Sequence, residues 1–280
     1  MKERKNLELE LRCDRQGKTI LAHQYTSQPL RLSKLFRLDA QETQGAYLYL
    51  MNSSPGLLAD DRLSLSVALE ENTLLHLTDQ AATKVHAMPK LDTNATTDWQ
   101  IRVAAGASLE LVPEPLILYA DGAFEQITKI TLDSSANLFW SEILLPGRLA
   151  REEYYDFRSY YGCLEIYSES GELWFKDAIN LQGKCNSWQH HKLFTSEPIL
   201  ANLVLVSPQT DLDLLSKKLE DFVAIKELNL VGANSVLPEK KGLFMRVMAA
   251  KTTPIKQYIN YALNVMRSLN GRPKLPYIAK

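Results

Sequence analysis

Three segments of the chain alternate between apolar and polar residues at every second position, and this pattern constrains the fold more than any other feature. They are "DRLSLSVAL" (61–69), "WQIRVAAGASLELVP" (99–113) and "EQITKITLDSSANLFWSEIL" (125–144). A period of two is typical of β-strands that bury one face. The first two-thirds of the chain is therefore predicted to be β-structure.

The alternating segments also share a plan of strand, short polar break and strand, with the breaks "EENT", "AAGAS" and "DSSAN". An apolar residue precedes each break and a leucine follows it at the same offset: Leu69, Val103 and Leu132, then Leu75, Leu109 and Leu138. The spacing between units varies, so the repeat is degenerate. We expect stacked hairpin-like units that cover each other's apolar faces. A β-sandwich whose hairpins resemble one another is the open alternative.

After residue 206 the pattern changes. "TDLDLLSKKLEDFVAIKE" predicts a helix near 211–226, and a second helix is predicted near 254–270, where Pro254 can start it and Gly271 can end it. The fold class is therefore mainly β. We predict a large body of stacked units over residues 1–206, solenoid-like or sandwich, and a small α+β part with two helices and an extended tail over residues 207–280.

Composition narrows the class of protein. The 32 basic and 33 acidic side chains give a formal net charge of -1, which argues against nucleic-acid binding. No apolar run approaches the roughly 20 residues of a membrane helix, and no apolar stretch follows the basic N-terminus as in a signal peptide. Three scattered cysteines then predict free thiols and a cytoplasmic location without a membrane partner.

The sequence lacks the common catalytic and phosphate-binding motifs, including G-x-S-x-G, the Walker loop and G-x-G-x-x-G. "CNSWQHHK" (185–192) is interpreted as an exposed polar loop, because adjacent histidines on a strand point to opposite sides. One enzymatic alternative stays open. Asp61, Glu114 and Glu142 could serve a β-solenoid or sandwich enzyme that cleaves carbohydrate through paired carboxylates.

The stretch "LTDQAATKVHAMPK" (77–90) lies between alternating segments without resembling a turn. It contains no glycine, and its only proline is Pro89. A second break, "LVPEPLIL" (111–118), has Pro113 and Pro115 on either side of Glu114. Because proline cannot donate to a strand ladder, this segment predicts a sheet edge or a bulge.

Taken together, "SSPGLLADDRLSLSVALEENTLLHLTDQAATKVH", "GASLELVPEPLILYADGAFEQ" and "WSEILLPGRLAREEYYDFR" resemble the urease accessory proteins of the UreD (also UreH) type. The C-terminal "MRVMAAKTTPIKQYI" and "LNGRPKLP" match the end expected for that family. The matching positions are Asp61, Arg62, Gln80, Ala81, Ala82, Thr83, Lys84, Leu111, Pro113, Ile117, Leu118, Trp140, Glu142, Gly147 and Arg148.

The sequence departs from the family pattern at three places. Ala59 and Asp60 stand where the family has a pair of glycines, Asp79 replaces a threonine, and Glu114 replaces a glutamine. Each departure adds a carboxylate.

The resemblance implies a non-catalytic maturation factor that docks on urease apoprotein. It also implies two further partners, a helical accessory protein of the UreF type and a nickel-carrying GTPase of the UreG type. No cofactor is expected to be tightly bound, and nickel is expected to pass transiently through the interior. Such a passage needs small residues and weak oxygen donors, whereas a Cys or His cluster would retain nickel.

Apart from Lys84, the candidates for this passage are small or carry a side-chain oxygen. They are Asp61, Thr78, Asp79, Gln80, Ala82, Thr83, Lys84, Glu114 and Glu142. The alternative is that these residues form a buried polar network. Partner binding is predicted for the two turn arginines, the last helix and the tail: Arg62, Arg148, Tyr258, Leu275, Tyr277 and Ile278. The alternative for the tail is that it packs back on its own body.

Overall fold

A computed structural model describes residues 5–38, 43–185 and 191–276. Within these ranges the chain forms two sheets that pack face to face around an apolar core, and helices cover the outer side of one sheet. The predicted mainly β fold class is confirmed.

The first sheet has seven strands, five of which run parallel. The two edge strands are antiparallel to their neighbours. In spatial order the strands are β14 (Leu173–Leu181), β13 (Ser159–Ser168), β11 (Ala123–Leu132), β8 (Ala95–Val103), β5 (Arg62–Leu69), β1 (Leu7–Cys13) and β2 (Thr19–Thr26).

The second sheet is parallel at its centre and antiparallel toward both ends. In spatial order its main strands are β16 (Val231–Val236), β17 (Leu243–Ala249), β15 (Ile199–Val206), β12 (Asn137–Leu145), β9 (Ser108–Val112), β6 (Leu74–Asp79), β4 (Ala46–Asn52) and β3 (Leu30–Leu32). Two short strands, β7 (Thr83–Val85) and β10 (Leu116–Leu118), pair with each other, and β10 also pairs with β12.

The predicted hairpin-like pairing within each unit is wrong. The strand before each break lies in the first sheet and the strand after it lies in the second, as with β5 and β6. Each strand pairs in parallel with its equivalents from neighbouring units, so the architecture is solenoid-like. The residues that flank the breaks align across the sheets as the repeat predicts: Leu69, Val103 and Leu132, then Leu75, Leu109 and Leu138. A period of two identifies the buried face but not the strand that supplies the hydrogen bonds.

The C-terminal part contains both predicted helices, α2 (Leu212–Val223) and α3 (Thr252–Leu269), after a short α1 (Lys192–Ser196) that was not predicted. The helix α2 ends before the predicted residue 226, and Asp211 caps its start by accepting a hydrogen bond from the Leu214 amide at 3.0 Å. Both longer helices pack on the outer face of the second sheet. The two predicted parts share one sheet, because β15, which ends at residue 206, is hydrogen-bonded to β17.

Neighbouring strands of the second sheet are interrupted at one level. The chain leaves the ladder between β6 and β7 and again between β9 and β10. From Leu111 to Leu116 there are five steps, whereas their partners on β12, Trp140 and Leu144, are four apart. The extra residue is a bulge, which confirms the prediction made from the two prolines in this segment.

Candidate functional site

A cavity of about 100 Å³ lies between the sheets at the level of these breaks. Exposed residues such as Asn52 and Ala81 line it together with buried ones such as Leu65 and Leu111. The cavity therefore connects the surface, at a mouth formed by the strand breaks, with the core. It has room for several water molecules, since roughly 10–15 Å³ of such space holds one.

Polar side chains cross the inner face of the second sheet at this level. Glu142 on β12 is in register with Asn202 on β15, which is in register with Arg246 on β17. Asp79 and Glu114, at the strand breaks, line the same cavity as Glu142. We call these five side chains the polar row. It runs perpendicular to the strands through an interior that is otherwise mostly apolar.

Glu142 is at the centre of the polar row. Its carboxylate accepts hydrogen bonds from Asn202 Nδ2 at 3.0 Å, from Gln126 Nε2 at 3.2 Å and from the Tyr160 hydroxyl at 3.2 Å. Burial raises the pKa of Glu142 and outweighs the opposing effect of the Asn202 and Tyr160 hydrogen bonds. Burial also raises the pKa of Tyr160 far above its usual range, so its hydroxyl stays a donor.

The polar surroundings continue toward β14. A smaller cavity of about 10 Å³ shares Gln126 and Glu142 with the first one and is also lined by Gly162 and Asp177. A Cβ atom at Gly162 would lie 2.5 Å from the Tyr160 hydroxyl oxygen. Glycine at this position therefore leaves the space through which Tyr160 reaches Glu142.

The carboxylates at the mouth differ from Glu142 in their surroundings. Lys256 Nζ on α3 donates to Glu114 Oε2 at 2.5 Å, and the Glu114 side chain is 12% exposed. Asp79 is half-buried at the end of β6. Glu142 forms no ion pair with any residue in the described ranges. Two of the three carboxylates that depart from the family pattern, Asp79 and Glu114, thus stand at the mouth.

Of the remaining passage candidates, Thr83 lines the cavity. Ala81, two residues before it and not among the candidates, lines the cavity as well. Ala82 and Gln80 are not among the lining residues, and Gln80 is exposed. Thr78 is buried, and its hydroxyl donates to the Val112 carbonyl at 2.6 Å. Thr78 thus has the contact expected from the alternative of a polar network between strands.

Lys84 and Asp61 also lie outside the lining. The Lys84 carbonyl accepts a hydrogen bond from the Leu57 amide at 2.7 Å, and Asp61 Oδ2 accepts one from the Leu58 amide at 2.8 Å. Asp60, beside it, has a φ of 65°. This left-handed conformation is the one that glycine adopts most readily, which accounts for the glycines of the family pattern here.

The two turn arginines occupy different surroundings. Arg62 is exposed at the start of β5 and lines a groove on the outer face of the first sheet. Arg148 is held by Glu153 through two bonds, from Nε at 2.8 Å and from Nη2 at 2.7 Å. Its guanidinium lies 4.4 Å from the centroid of the Tyr119 ring. This pairing lowers the pKa of Glu153 to about 2.

The C-terminal candidates pack on the protein itself. Tyr258 is 1% exposed and belongs to the core under α3, so its predicted place on a partner-binding surface is corrected. Its apolar ring packs near Phe222 of α2. Leu275 packs against the same core, and its amide donates to Asn264 Oδ1 at 2.7 Å. Tyr277 and Ile278 lie outside the described residues.

A buried ionic cluster ties the C-terminal helix to the second sheet, and no sequence signal indicated it. Glu110 accepts hydrogen bonds from Arg267 Nε at 2.8 Å and from Arg272 Nη1 at 2.9 Å, and its other oxygen lies 3.0 Å from His76 Nδ1. Arg267 Nη2 donates to the Tyr47 hydroxyl at 3.0 Å. Burial opposes ionisation of Glu110, but the His76 hydrogen bond and the positive charges of the arginines outweigh this effect and lower the pKa of Glu110 to about 2.

The sequence reasoning also missed Gln126, Asp177, Asn202 and Arg246. One signal was present for Asn202, because it is the only polar residue in the apolar run "ILANLVLV" of β15. The others are polar residues at inward positions of alternating strands. Such positions can be recognised only when the inward face of each strand is known.

The described ranges lack both a metal-binding cluster and a membrane-spanning helix. They contain no group of three or more His, Cys, Asp or Glu side chains placed to hold a metal ion. They also contain no helix with the length and apolar character needed to span a membrane. In the "CNSWQHHK" segment, His191 caps α1 by accepting a hydrogen bond from the Leu193 amide at 3.3 Å. Residues 186–190 lie outside the described ranges.

The fold and the cavity define a two-sheet β-solenoid scaffold with a row of polar side chains through its apolar interior and a helical cover. The family model described as UreD urease accessory protein matches residues 4–280. A relative from Trichodesmium erythraeum (strain IMS101), named urease accessory protein UreD, is 56% identical over 275 residues, which cover 98% of this chain and 99% of the relative.

More distant relatives carry the same kind of name. Urease accessory protein UreD of Actinobacillus pleuropneumoniae serotype 5b (strain L20) is 28% identical over 93% of this chain and 96% of its own. Urease accessory protein UreD 2 of Streptomyces griseus subsp. griseus is 29% identical over 92% of this chain and 88% of its own.

The chain therefore belongs to the UreD family of urease accessory proteins. Its role is in urease maturation, and it is not an enzyme. The alternative of a carbohydrate-cleaving enzyme is not supported by this family relationship.

Proposed function

We propose that this protein docks on urease apoprotein, joins it to a UreF-type helical accessory protein and a UreG-type GTPase, and gives nickel an internal route to urease. Nickel is cargo in this scheme, and no cofactor is tightly bound. The protein acts in the cytoplasm, without a nucleic-acid or membrane partner.

The polar row is the observation that carries this proposal. Carboxylates and amides follow one another from the mouth at Asp79 and Glu114 through Glu142 to Asn202. Oxygen donors hold nickel more weakly than imidazole or thiolate ligands do. A series of separate oxygen sites supports successive binding and release, as conduction requires.

Glu142 has the electrostatic properties of a site for a passing cation. Three donors orient its carboxylate, and burial makes its charged form unfavourable while no cation is near. A divalent cation beside it would favour the charged form. The adjoining cavity leaves room for water around the ion. Glu142 is therefore the member of the row on which we expect nickel transfer to depend most.

The test replaces Glu142 by glutamine, which keeps its shape and removes its charge. Urease is co-expressed with the accessory proteins, and nickel per urease active site is measured beside partner pull-down and a melting curve. We expect urease that is assembled but poor in nickel. Burial disfavours the charge that is removed, but the glutamine amide nitrogen cannot accept from the donors that face it, so a loss of about 1–3 kcal/mol is expected in the melting curve.

Glu125→Gln is the matched control. Glu125 precedes Gln126 on β11 and lines the groove on the outer face of the first sheet. It should leave nickel loading unchanged. Normal nickel loading with Glu142→Gln would refute the proposed route.

A further inference from the structure

The polar row ends where β14 of the first sheet faces β17 of the second. Here Arg246 Nε donates to Asn202 Oδ1 at 2.8 Å, and Arg246 Nη2 donates to Asp177 Oδ2 at 2.8 Å. Asn202 and Asp177 belong to different sheets. The guanidinium therefore bridges the two sheets across the end of the interior.

This bridge stands at the surface. The Arg246 side chain is 42% exposed and that of Asp177 is 23% exposed, while Asp177 also lines the small cavity next to Glu142. A cation that moves from Glu142 toward Asp177 thus meets a carboxylate already paired with a positive charge. The Arg246 guanidinium repels a cation at close range, so the closed bridge opposes passage of a cation.

The bridge is also one that can open. An ion pair with this exposure contributes little stability, so its release costs little. Ala233 on the edge strand β16 is in register with Arg246, and its small side chain is exposed. Ala233 leaves space beside the guanidinium into which the long arginine side chain can turn.

We propose that Arg246 is a gate at the second end of the polar row. Its bridge to Asp177 and Asn202 keeps this end closed to cations, and release of Arg246 opens it. The identity of the cargo, nickel, rests on the proposed function, whereas the gate itself rests on the bridge.

The test measures access to the interior of the full chain with a small cationic thiol reagent, methanethiosulfonate ethylammonium. The target thiol is Gln126→Cys, because residue 126 lines both cavities. The natural cysteines are replaced by serine, and Ala81→Trp fills the first mouth in every variant. Against this reference, Arg246→Ala should accelerate labelling by about tenfold, the factor that corresponds to about 1.4 kcal/mol.

Asp177→Asn is the second test variant, since it breaks the same pair while keeping the shape of the side chain. It should accelerate labelling by less than Arg246→Ala does, because the charged guanidinium remains and still donates to Asn202. Arg102→Ala is the matched control, because Arg102 has a comparable 2.8 Å pair with Glu169 in an exposed position. It should leave the labelling rate unchanged.

Labelling at the reference rate in both Arg246→Ala and Asp177→Asn, with unchanged melting curves, would overturn the gate whatever the nickel content of urease. Faster labelling together with normal nickel loading in Glu142→Gln would support the gate and refute the nickel route. The two proposals therefore fail on different measurements.

Discussion

Glu110→Gln should destabilise this protein strongly, because it removes the counter-charge of a buried arginine. Glu110 and Arg267 are each 2% exposed and are joined at 2.8 Å. The glutamine oxygen can still accept a hydrogen bond, but the charge of Arg267 is then left in the core with less compensation. Removing one partner of a buried pair typically costs about 3–5 kcal/mol.

The shift in the pKa of Glu110 gives a second measure of the same interaction. The pKa falls from 4.5 to about 2, and each pH unit corresponds to about 1.4 kcal/mol. The network therefore favours the charged form by about 3 kcal/mol, which agrees with the range for breaking a buried pair. A lowered pKa means that this stability is present above pH 4.5 and is lost as the pH falls toward 2.

The assay is urea unfolding of the full chain at pH 7 and through a series of lower pH values. Glu110→Gln should lose about 3 kcal/mol at pH 7, and its difference from the unaltered chain should shrink below pH 4.5. Glu169→Gln is the control, since it breaks a 2.8 Å pair with Arg102 in which both side chains are exposed. Its cost should stay below about 1 kcal/mol. A loss below about 1 kcal/mol in Glu110→Gln as well would refute the reasoning.

Two other predictions concern the opening stretch and the tail. Ala82→Leu should leave nickel loading normal, because Ala82 is half-buried and lies outside the cavity lining, and nickel-poor urease from a stable variant would instead place Ala82 in the passage. Removing residues 272–280 takes Arg272 from Glu110 and should lower stability, whereas removing 277–280 should abolish capture of the UreF-type partner in a pull-down without unfolding the protein. Normal capture by the shorter truncation would contradict the partner role of Tyr277 and Ile278.

Much of the fold could be predicted from the sequence, because alternation and capping are local. The strands near Leu65, Ile101 and Ile130 follow directly from a period of two, and Pro254 marks the start of the last helix to within two residues. The pairing of the strands could not be predicted in this way. Consecutive strands that share an apolar core can lie in one sheet or face each other from two sheets with the same alternation.

The candidate site was only partly predictable for a related reason. Asp79 and Glu114 were recognised because they lie at the two breaks in the strand pattern, and Glu142 because it matches a position of the family pattern. Arg246 and Asp177 meet across 69 positions of sequence. Such a contact depends on how the two sheets face each other, which no local pattern specifies.

Nickel per urease active site after co-expression with a plugged mouth tests the central claim most directly. Ala81→Trp places a large ring where a small exposed side chain lines the cavity, and Gln80→Trp places the same ring on its exposed neighbour outside the lining. The account predicts that Ala81→Trp gives assembled, nickel-poor urease, while Gln80→Trp gives normal loading. Full loading with Ala81→Trp in a stable, assembled complex would contradict the internal route.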